Sequence, residues 1–239
     1  MGYSCQTKAV ATEDGYIVEV DRVWQNTTAT LFNEDARGNP VLLVPGMLDD
    51  SATWFLNYPS QSAGFMLADK GYDVWAMNTR EAAKRCHHKE WDQSDPRYWE
   101  WSFNEIGQFD VAAAIELALT TTGASTLAIL AFSQGFTSSL VLLSTKPEYN
   151  AKVEPPEYPL KRISVPVALF SAVGDRVANP VDVADLVKTL DSVVVLDYVV
   201  PIRNFRHDDF ILSYKAAVVL HQVMIATLAN YTTTARKVV

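Results

Sequence analysis

Apolar and polar positions along the chain change period in a way that marks out its elements. Lys8 to Thr12 and Tyr16 to Val23 are β-rich runs on either side of Glu13-Asp14-Gly15, a turn signal, and predict an antiparallel hairpin. In the second run Tyr16, Val18 and Val20 share one face and Glu19 and Asp21 the other, the pattern of a half-buried strand near a sheet edge. Asn33 to Pro40 is polar and predicts a loop. Pro40-Val-Leu-Leu-Val-Pro45-Gly46 is continuously apolar and predicts a strand buried on both faces. Ser62 to Gly71 predicts a helix with a serine near its start and a glycine at its end, and Tyr72 to Asn78 a strand. Arg80 to Trp101 mixes charges and aromatics without a period and reads as a long surface excursion, with Trp91, Tyr98, Trp99 and Trp101 pinning it to the core in preference to lining a ligand groove.

Glu105 to Thr122 carries Ile106, Phe109, Ala113 and Leu117 at helical spacing and stops at Gly123. The apolar run from Thr126 to Phe132 is followed by a helix with Phe136, Leu140 and Leu143 inward. Val165 to Phe170 is another buried-strand run. Asn179 to Leu190 predicts a helix with an asparagine cap and Pro180 in its first turn, Ser192 to Val200 a strand, and Asp209 to Asn230 a last helix. That helix places Leu212, Ala216, Val219 and Val223 on one face and is apolar nearly all round, so it is deeply buried or faces a partner, a second copy of the chain included. Strands alternating with helices predict an α/β fold, a mostly parallel sheet with helices on both faces.

At 239 residues and 49% hydrophobic, the chain buries a substantial core and reads as a single domain, 1–239. No apolar run reaches the roughly 18 residues of a membrane span. A net charge of −8 without a Lys/Arg cluster argues against a nucleic-acid surface. Of four histidines, His87 and His88 are adjacent and diverge, and no pair has metal-ligand spacing, so neither metal nor other cofactor is expected. Asn26-Thr-Thr28 and Asn230-Tyr-Thr232 fit the glycosylation acceptor pattern and lean towards secretion. No signal peptide precedes Tyr3, and Met1-Gly2 reads as a start added to a mature chain. A disulfide between Cys5 and Cys86 and two buried free thiols are both compatible with the sequence.

The chemistry gathers on Thr126-Leu-Ala-Ile-Leu-Ala-Phe-Ser133-Gln-Gly135. A strand ending in a small-x-Ser-x-Gly turn that runs into a helix is a nucleophile elbow. Ser133 sits at its tip, Ala131 and Gly135 are small where the turn needs room, and the helix start offers unpaired N–H groups to developing negative charge. A serine needs a base and an acid, in the order Ser, Asp or Glu, His. Asp175 follows the Val165–Phe170 strand, and His207 lies in the loop before the last helix. Asp208 and Asp209 are rival acids, though neighbours of a histidine point away from its ring; His221 reads as a core or surface residue. In a fold of this kind the loop after the Pro40 strand supplies one oxyanion donor, assigned to the backbone N–H of Met47.

With these residues in hand, the chain resembles the acid lipase family, α/β-hydrolases that include gastric and lysosomal acid lipases. The matching pieces are Thr12-Glu-Asp-Gly-Tyr-Ile17, Gly46-Met-Leu-Asp-Asp-Ser-Ala-Thr-Trp54, Leu67 to Trp75 with Asn78-Thr-Arg80, Trp101-Ser-Phe-Asn-Glu105, Phe132-Ser-Gln-Gly135 and His207-Asp-Asp-Phe210. The resemblance implies an α/β-hydrolase fold, Ser133, Asp175 and His207 as a triad, and the N–H groups of Met47 and Gln134 as the oxyanion hole. It also implies a lipid or other carboxylic ester as substrate, contact with a lipid interface, and a secreted or lysosomal/vacuolar location.

The chain departs from the family in three places. Pro45-Gly46 stands where the family has His-Gly, and Ala131-Phe132 where it has Gly-His. Between Leu140 and Val165 the family carries a further strand and a long cap, and this chain only the polar, proline-rich Ser144 to Pro159. The strand ending near Asp175 is then expected beside the elbow strand, and the substrate to be a smaller or more exposed ester. Two other readings remain open on sequence: a non-catalytic lipid-binding or interaction module, and acyl transfer to an alcohol.

Overall fold

The computed structural model describes residues 2–27, 38–146 and 160–232. The polar loop expected from Asn33 lies outside them up to residue 37, as do Thr28 of the first acceptor triplet and the linker from residue 147 to Pro159. The chain divides into two compact units, Met1–Leu142 and Leu143–Val239.

The first unit is built on a six-stranded sheet. Strands β1 (Tyr3–Ala11) and β2 (Tyr16–Gln25) form the expected hairpin, longer than the pattern indicated. β3 is Pro40–Val44, β4 Asp73–Met77, β5 Cys86–His88 and β6 Ala128–Ala131. The order is β1-β2-β4-β3-β6, with β5 also paired to β2. β3 is parallel to both β4 and β6, while every pairing of β2 is antiparallel. The sheet is therefore mixed, parallel only where it carries the elbow.

Register explains why β3 and β4 are apolar throughout. Leu42 lies opposite Trp75, and Val20 opposite Met77, so these side chains share one face; Leu43, Ala76 and Asp21 share the other. On the first face Val20, Leu42, Val44, Trp75 and Met77 pack with Val111, Ala112, Ala114 and Ala118 of a long helix, α2. The opposite face carries α1 (Ala63–Asp69), whose Phe65 meets the Tyr3 ring at 4.5 Å. Each apolar side chain placed between these layers contributes about 1.5–3 kcal/mol over its exposed state.

α2 runs as Phe103–Glu105, a π-helical segment Ile106–Val111 and Ala112–Thr122. Ser102 and Glu105 close its start as a reciprocal capping box, and Gly123 ends it at φ 68, left-handed backbone that a side chain disfavours.

The stretch from Arg80 to Trp101 is more than a surface excursion. It contributes β5 and buries Arg80, Cys86 and Tyr98. Its aromatic residues do pin it: Tyr16, Val18, Cys86 and Tyr98 form one cluster, with Trp91 and Trp101 against it. The side chain of Arg80, 1% exposed, is held by Asp110 at 2.7 Å and Asp14 at 2.7 Å and lies 4.0 Å over the Tyr16 ring. Burial opposes its charge, but the two carboxylates outweigh that and raise its pKa. A lone charge gave no sign of this partnership in sequence, because Asp14 sits in a hairpin turn and Asp110 inside α2.

The second unit contains β7 (Val167–Ser171), α4 (Pro180–Leu190) and β8 (Val194–Val199), where the two strands are parallel. Asn179 caps α4 by accepting the Val181 N–H, as the sequence indicated. Among the described residues β7 is laddered to β8 in a two-stranded sheet. A β7-α4-β8 crossover closes a short loop, so this parallel pair forms at low entropic cost.

The last helix is also corrected. It breaks after α5 (Asp209–Leu212), where Ser213 is extended at ψ 125, and resumes as α6, a π-helical turn Ala217–His221 followed by Gln222–Thr232. The Ser213 hydroxyl accepts the Lys215 N–H, a capping bond that restarts the helix. Ser213 was the available signal, masked by the apolar residues around it. The expected shared face is accordingly broken: Ala216 is buried and Leu212 exposed.

Cys5 lies opposite Val23, and Cys86 opposite Val18, on different edges and faces of β2. They are too far apart for a disulfide, and both are free thiols. Cys5 is exposed, whereas burial pushes the Cys86 thiol up to about 12. A disulfide reagent at pH 8 should therefore titrate one thiol promptly and the second only after denaturation. Replacing Arg80 by alanine, which leaves Asp110 buried without its partner, should cost roughly 3–5 kcal/mol in urea unfolding.

Candidate active site

In the first unit, the end of β6 and the end of β3 are held side by side. The ladder that pairs Val44 with Ala131 continues one residue further, with the Phe132 N–H donating to the Val44 carbonyl at 3.0 Å. At Ser133 the backbone turns into left-handed space, φ 53, and helix α3 (Gln134–Thr145) begins at the next residue. The Ser133 carbonyl accepts the Phe136 N–H at 2.9 Å, which closes the first turn. A non-glycine residue at such a φ stores strain and is held only where its surroundings leave no alternative.

Those surroundings are specific. A Cβ at Gly135 would lie 2.2 Å from the Pro45 carbonyl oxygen and 2.7 Å from that of Val44, so α3 starts in contact with the backbone of β3. A Cβ at Gly46 would meet the Phe132 ring at 3.1 Å and the Ser133 Cβ at 3.4 Å. Gly107 lets α2 approach the Ser138 carbonyl and Val141 of α3 in the same manner. Leu140 is buried on α3, while Phe136 and Leu143 are half-buried.

The loop after β3 carries Met47, whose side chain is 63% exposed, and then Leu48 in left-handed backbone at φ 58. The Asp49 N–H returns to the Gly46 carbonyl at 3.3 Å, and the Ser51 N–H donates to Asn78 Oδ1 at 3.0 Å. One residue that the sequence did not single out stands between this loop and the elbow. Glu81 accepts the Leu48 N–H at Oε2, 3.2 Å away, and the Gln134 side-chain amide at Oε1, 2.9 Å away.

In the second unit, Asp175 lies on the turn after β7. It is 4% exposed, and its Oδ1 accepts the N–H groups of Val177 at 2.8 Å and Ala178 at 3.0 Å. Its Oδ2 is 2.8 Å from His207 Nδ1. Since the carboxylate can only accept, Nδ1 carries the proton and a neutral imidazole keeps its lone pair on Nε2. A Cβ at Gly174 would lie 2.6 Å from the Phe205 carbonyl oxygen, so this glycine lets the histidine loop close on the aspartate turn.

The rival acids are not the partner of Nδ1. Asp209 instead accepts the Arg206 N–H at 2.7 Å. His221 is a core residue, 3% exposed, with Nε2 at 3.0 Å from the Phe210 carbonyl oxygen. A methyl group added at Gly135 would collide with backbone on β3. Gly135→Ala should therefore lower stability by roughly 1–3 kcal/mol in urea unfolding and blunt reaction of Ser133 with a fluorophosphonate, whereas Gly123→Asn should do neither.

Residues 1–58 match the family described as a partial α/β-hydrolase lipase region. Lipase member M of Mus musculus is 38% identical over 153 residues, which cover 64% of this chain and 36% of that protein. Gastric triacylglycerol lipase of Bos taurus is 33% identical over 153 residues, 64% of this chain and 38% of that protein. The chain thus spans about a third of the length of the curated relatives it matches. Among solved structures, the Pyrococcus furiosus esterase Pf2001 aligns at TM-score 0.64 and 14% identity, covering 98% of this chain and 91% of that one. A zinc-bound cold-adapted esterase from an Arctic intertidal metagenomic library aligns at TM-score 0.61 and 12% identity, covering 97% and 95%. No helix among the described residues is long and apolar enough to cross a membrane. In folding pattern the chain is an α/β-hydrolase, and over part of their length it is similar in sequence to lipases.

Proposed function

We propose that the chain is a carboxylic ester hydrolase that works through an acyl-enzyme on Ser133, with the 239 residues acting as one catalytic domain. The observation that carries this reading is the left-handed serine between a parallel strand and a helix, φ 53. Such strain has no use in the core and is the backbone state that lifts a serine hydroxyl clear of its own strand and helix. The lipase kinship supports the same chemistry.

In the proposed mechanism His207 Nε2 takes the proton of Ser133 as its oxygen attacks the ester carbonyl. Asp175 keeps the other ring nitrogen protonated and stabilises the imidazolium that results. The 2.8 Å bond between Asp175 and His207 supports that role. The backbone N–H groups of Met47 and Gln134 receive the oxyanion, and each such donor is worth roughly 2.7–4 kcal/mol of transition-state stabilisation. The imidazolium then gives its proton to the departing alcohol. A water deprotonated by the same nitrogen releases the acid and frees the serine.

With only 24 residues between Leu140 and Val165, the proposed substrate is a short or exposed ester and not a long-chain triacylglycerol. A secreted or lysosomal/vacuolar location is proposed with it, in keeping with the exposed acceptor residues Asn26 and Asn230.

Labelling by a fluorophosphonate should mark wild type and disappear in Ser133→Ala. In p-nitrophenyl ester hydrolysis, Asp175→Asn should lower kcat by roughly 10⁴, and Ser133→Ala or His207→Ala by up to about 10⁶. A correctly folded wild type that neither labels nor hydrolyses would instead identify a binding module. In a chain-length series, rates should peak at short acyl groups; a peak at long ones would overturn the substrate assignment.

A further inference from the structure

We infer that Glu81 is a positioning residue that sets the separation of the two proposed oxyanion donors; this rests on the hydrolase reading above. Its carboxylate bonds to both donor-bearing segments. Oε2 holds the residue after Met47, through the Leu48 N–H at 3.2 Å, and Oε1 holds the first residue of α3, through the Gln134 side chain at 2.9 Å.

Each segment needs the hold for a separate reason. Met47 and Leu48 are 63% and 78% exposed, so packing does little to fix the loop, and Leu48 sits in left-handed backbone at φ 58. An unrestrained leucine would leave that region, the adjoining Met47–Leu48 peptide would turn, and the loop that positions the Met47 N–H would loosen. Accepting the Leu48 N–H opposes that relaxation. It also occupies a donor that would otherwise compete for the oxyanion at the wrong angle. At Gln134 the tie is made by the side chain, which leaves the backbone N–H free of Glu81 and able to serve the reaction.

Glu81 is itself mounted rigidly. The residue before it is Arg80, whose backbone N–H donates to Asp110 at 2.8 Å and whose guanidinium is clamped between Asp110 and Asp14. The Ala83 N–H donates back to the Glu81 carbonyl at 2.9 Å, closing the turn that aims the side chain. Charged carboxylates near a developing oxyanion normally oppose it. The benefit of Glu81 must therefore be geometric, and this separates a tie from an electrostatic role.

The variants discriminate on that point. Glu81→Gln keeps an acceptor for the Leu48 N–H and can donate to Gln134 once that amide flips, so both ties survive without the charge. Glu81→Ala removes both ties, and Gln134→Ala removes one while sparing the backbone donor. In p-nitrophenyl ester hydrolysis, Glu81→Ala should lower kcat roughly 10- to 100-fold at nearly constant KM, with Glu81→Gln within about threefold of wild type. Gln134→Ala should lower kcat in the same sense, and the double alanine variant should fall short of the product of the two single losses.

Wild-type kcat in Glu81→Ala, with Ser133-dependent hydrolysis intact in the parent, would overturn this inference and leave the hydrolase reading standing. Equal losses in Glu81→Gln and Glu81→Ala would also overturn it. Absence of Ser133-dependent hydrolysis in wild type would overturn both. If Glu81→Ala fails to fold, Gln134→Ala and Glu81→Gln decide: a kcat loss in the first and its absence in the second sustain the tie, and any other combination overturns it.

Discussion

The close approach of α3 to the end of β3 is the constraint on which the elbow depends. A helix that starts directly against backbone carbonyls, as Gly135 does at Pro45 and Val44, can be reached from β6 only by a turn that reverses the chain within one residue. Left-handed backbone at Ser133 accomplishes that reversal. Two glycines make it possible by having no side chain: Gly135 beneath the helix start and Gly46 beside the Phe132 ring. The parallel ladder of β3 with β6 supplies the stiffness, because the Phe132 N–H remains bonded to Val44 up to the residue before the turn. Strain that costs on the order of 1–3 kcal/mol is affordable at a site braced in this way.

Buried charge plays the corresponding part below the loop after β4. A guanidinium removed from water is costly unless it is well paired, and all three Arg80 nitrogens donate to one or other of two carboxylates, with the group lying over an aromatic face. The partners come from a hairpin turn and from α2, so the network joins the edge of the sheet to the helix covering it. A second pair, Arg22 with Asp73 at 2.6 Å, does the same between β2 and β4. Neither pair adds much net stability over apolar side chains of equal volume, and both serve to tie separate elements together.

Much of this was legible in the sequence, for reasons that differ between elements. β3 could be read because five apolar residues in a row fit a strand buried on both faces of an α/β sheet. α4 could be read because Asn179 and Pro180 are a start signal independent of what the helix packs against. The serine turn could be read because a small-x-Ser-x-Gly pattern after an apolar run restricts the residue type at each place. The excursion after Arg80 was opaque, since β5 has three residues and its pairing to β2 is set by contacts far away in sequence. The last helix was overextended because an apolar pattern outweighed a serine whose side chain restarts the helix.

Glu81 escaped for a further reason. Its function is defined by two partners, 33 residues before it and 53 residues after it, and one of those partners is a backbone N–H that has no sequence signature. The converse holds for Phe132, whose role is a local contact. Its ring fills the space above Gly46 and so packs the turn from the side of β3. The turn is exacting at the positions that fix backbone direction, and these are Gly46, Ser133 and Gly135.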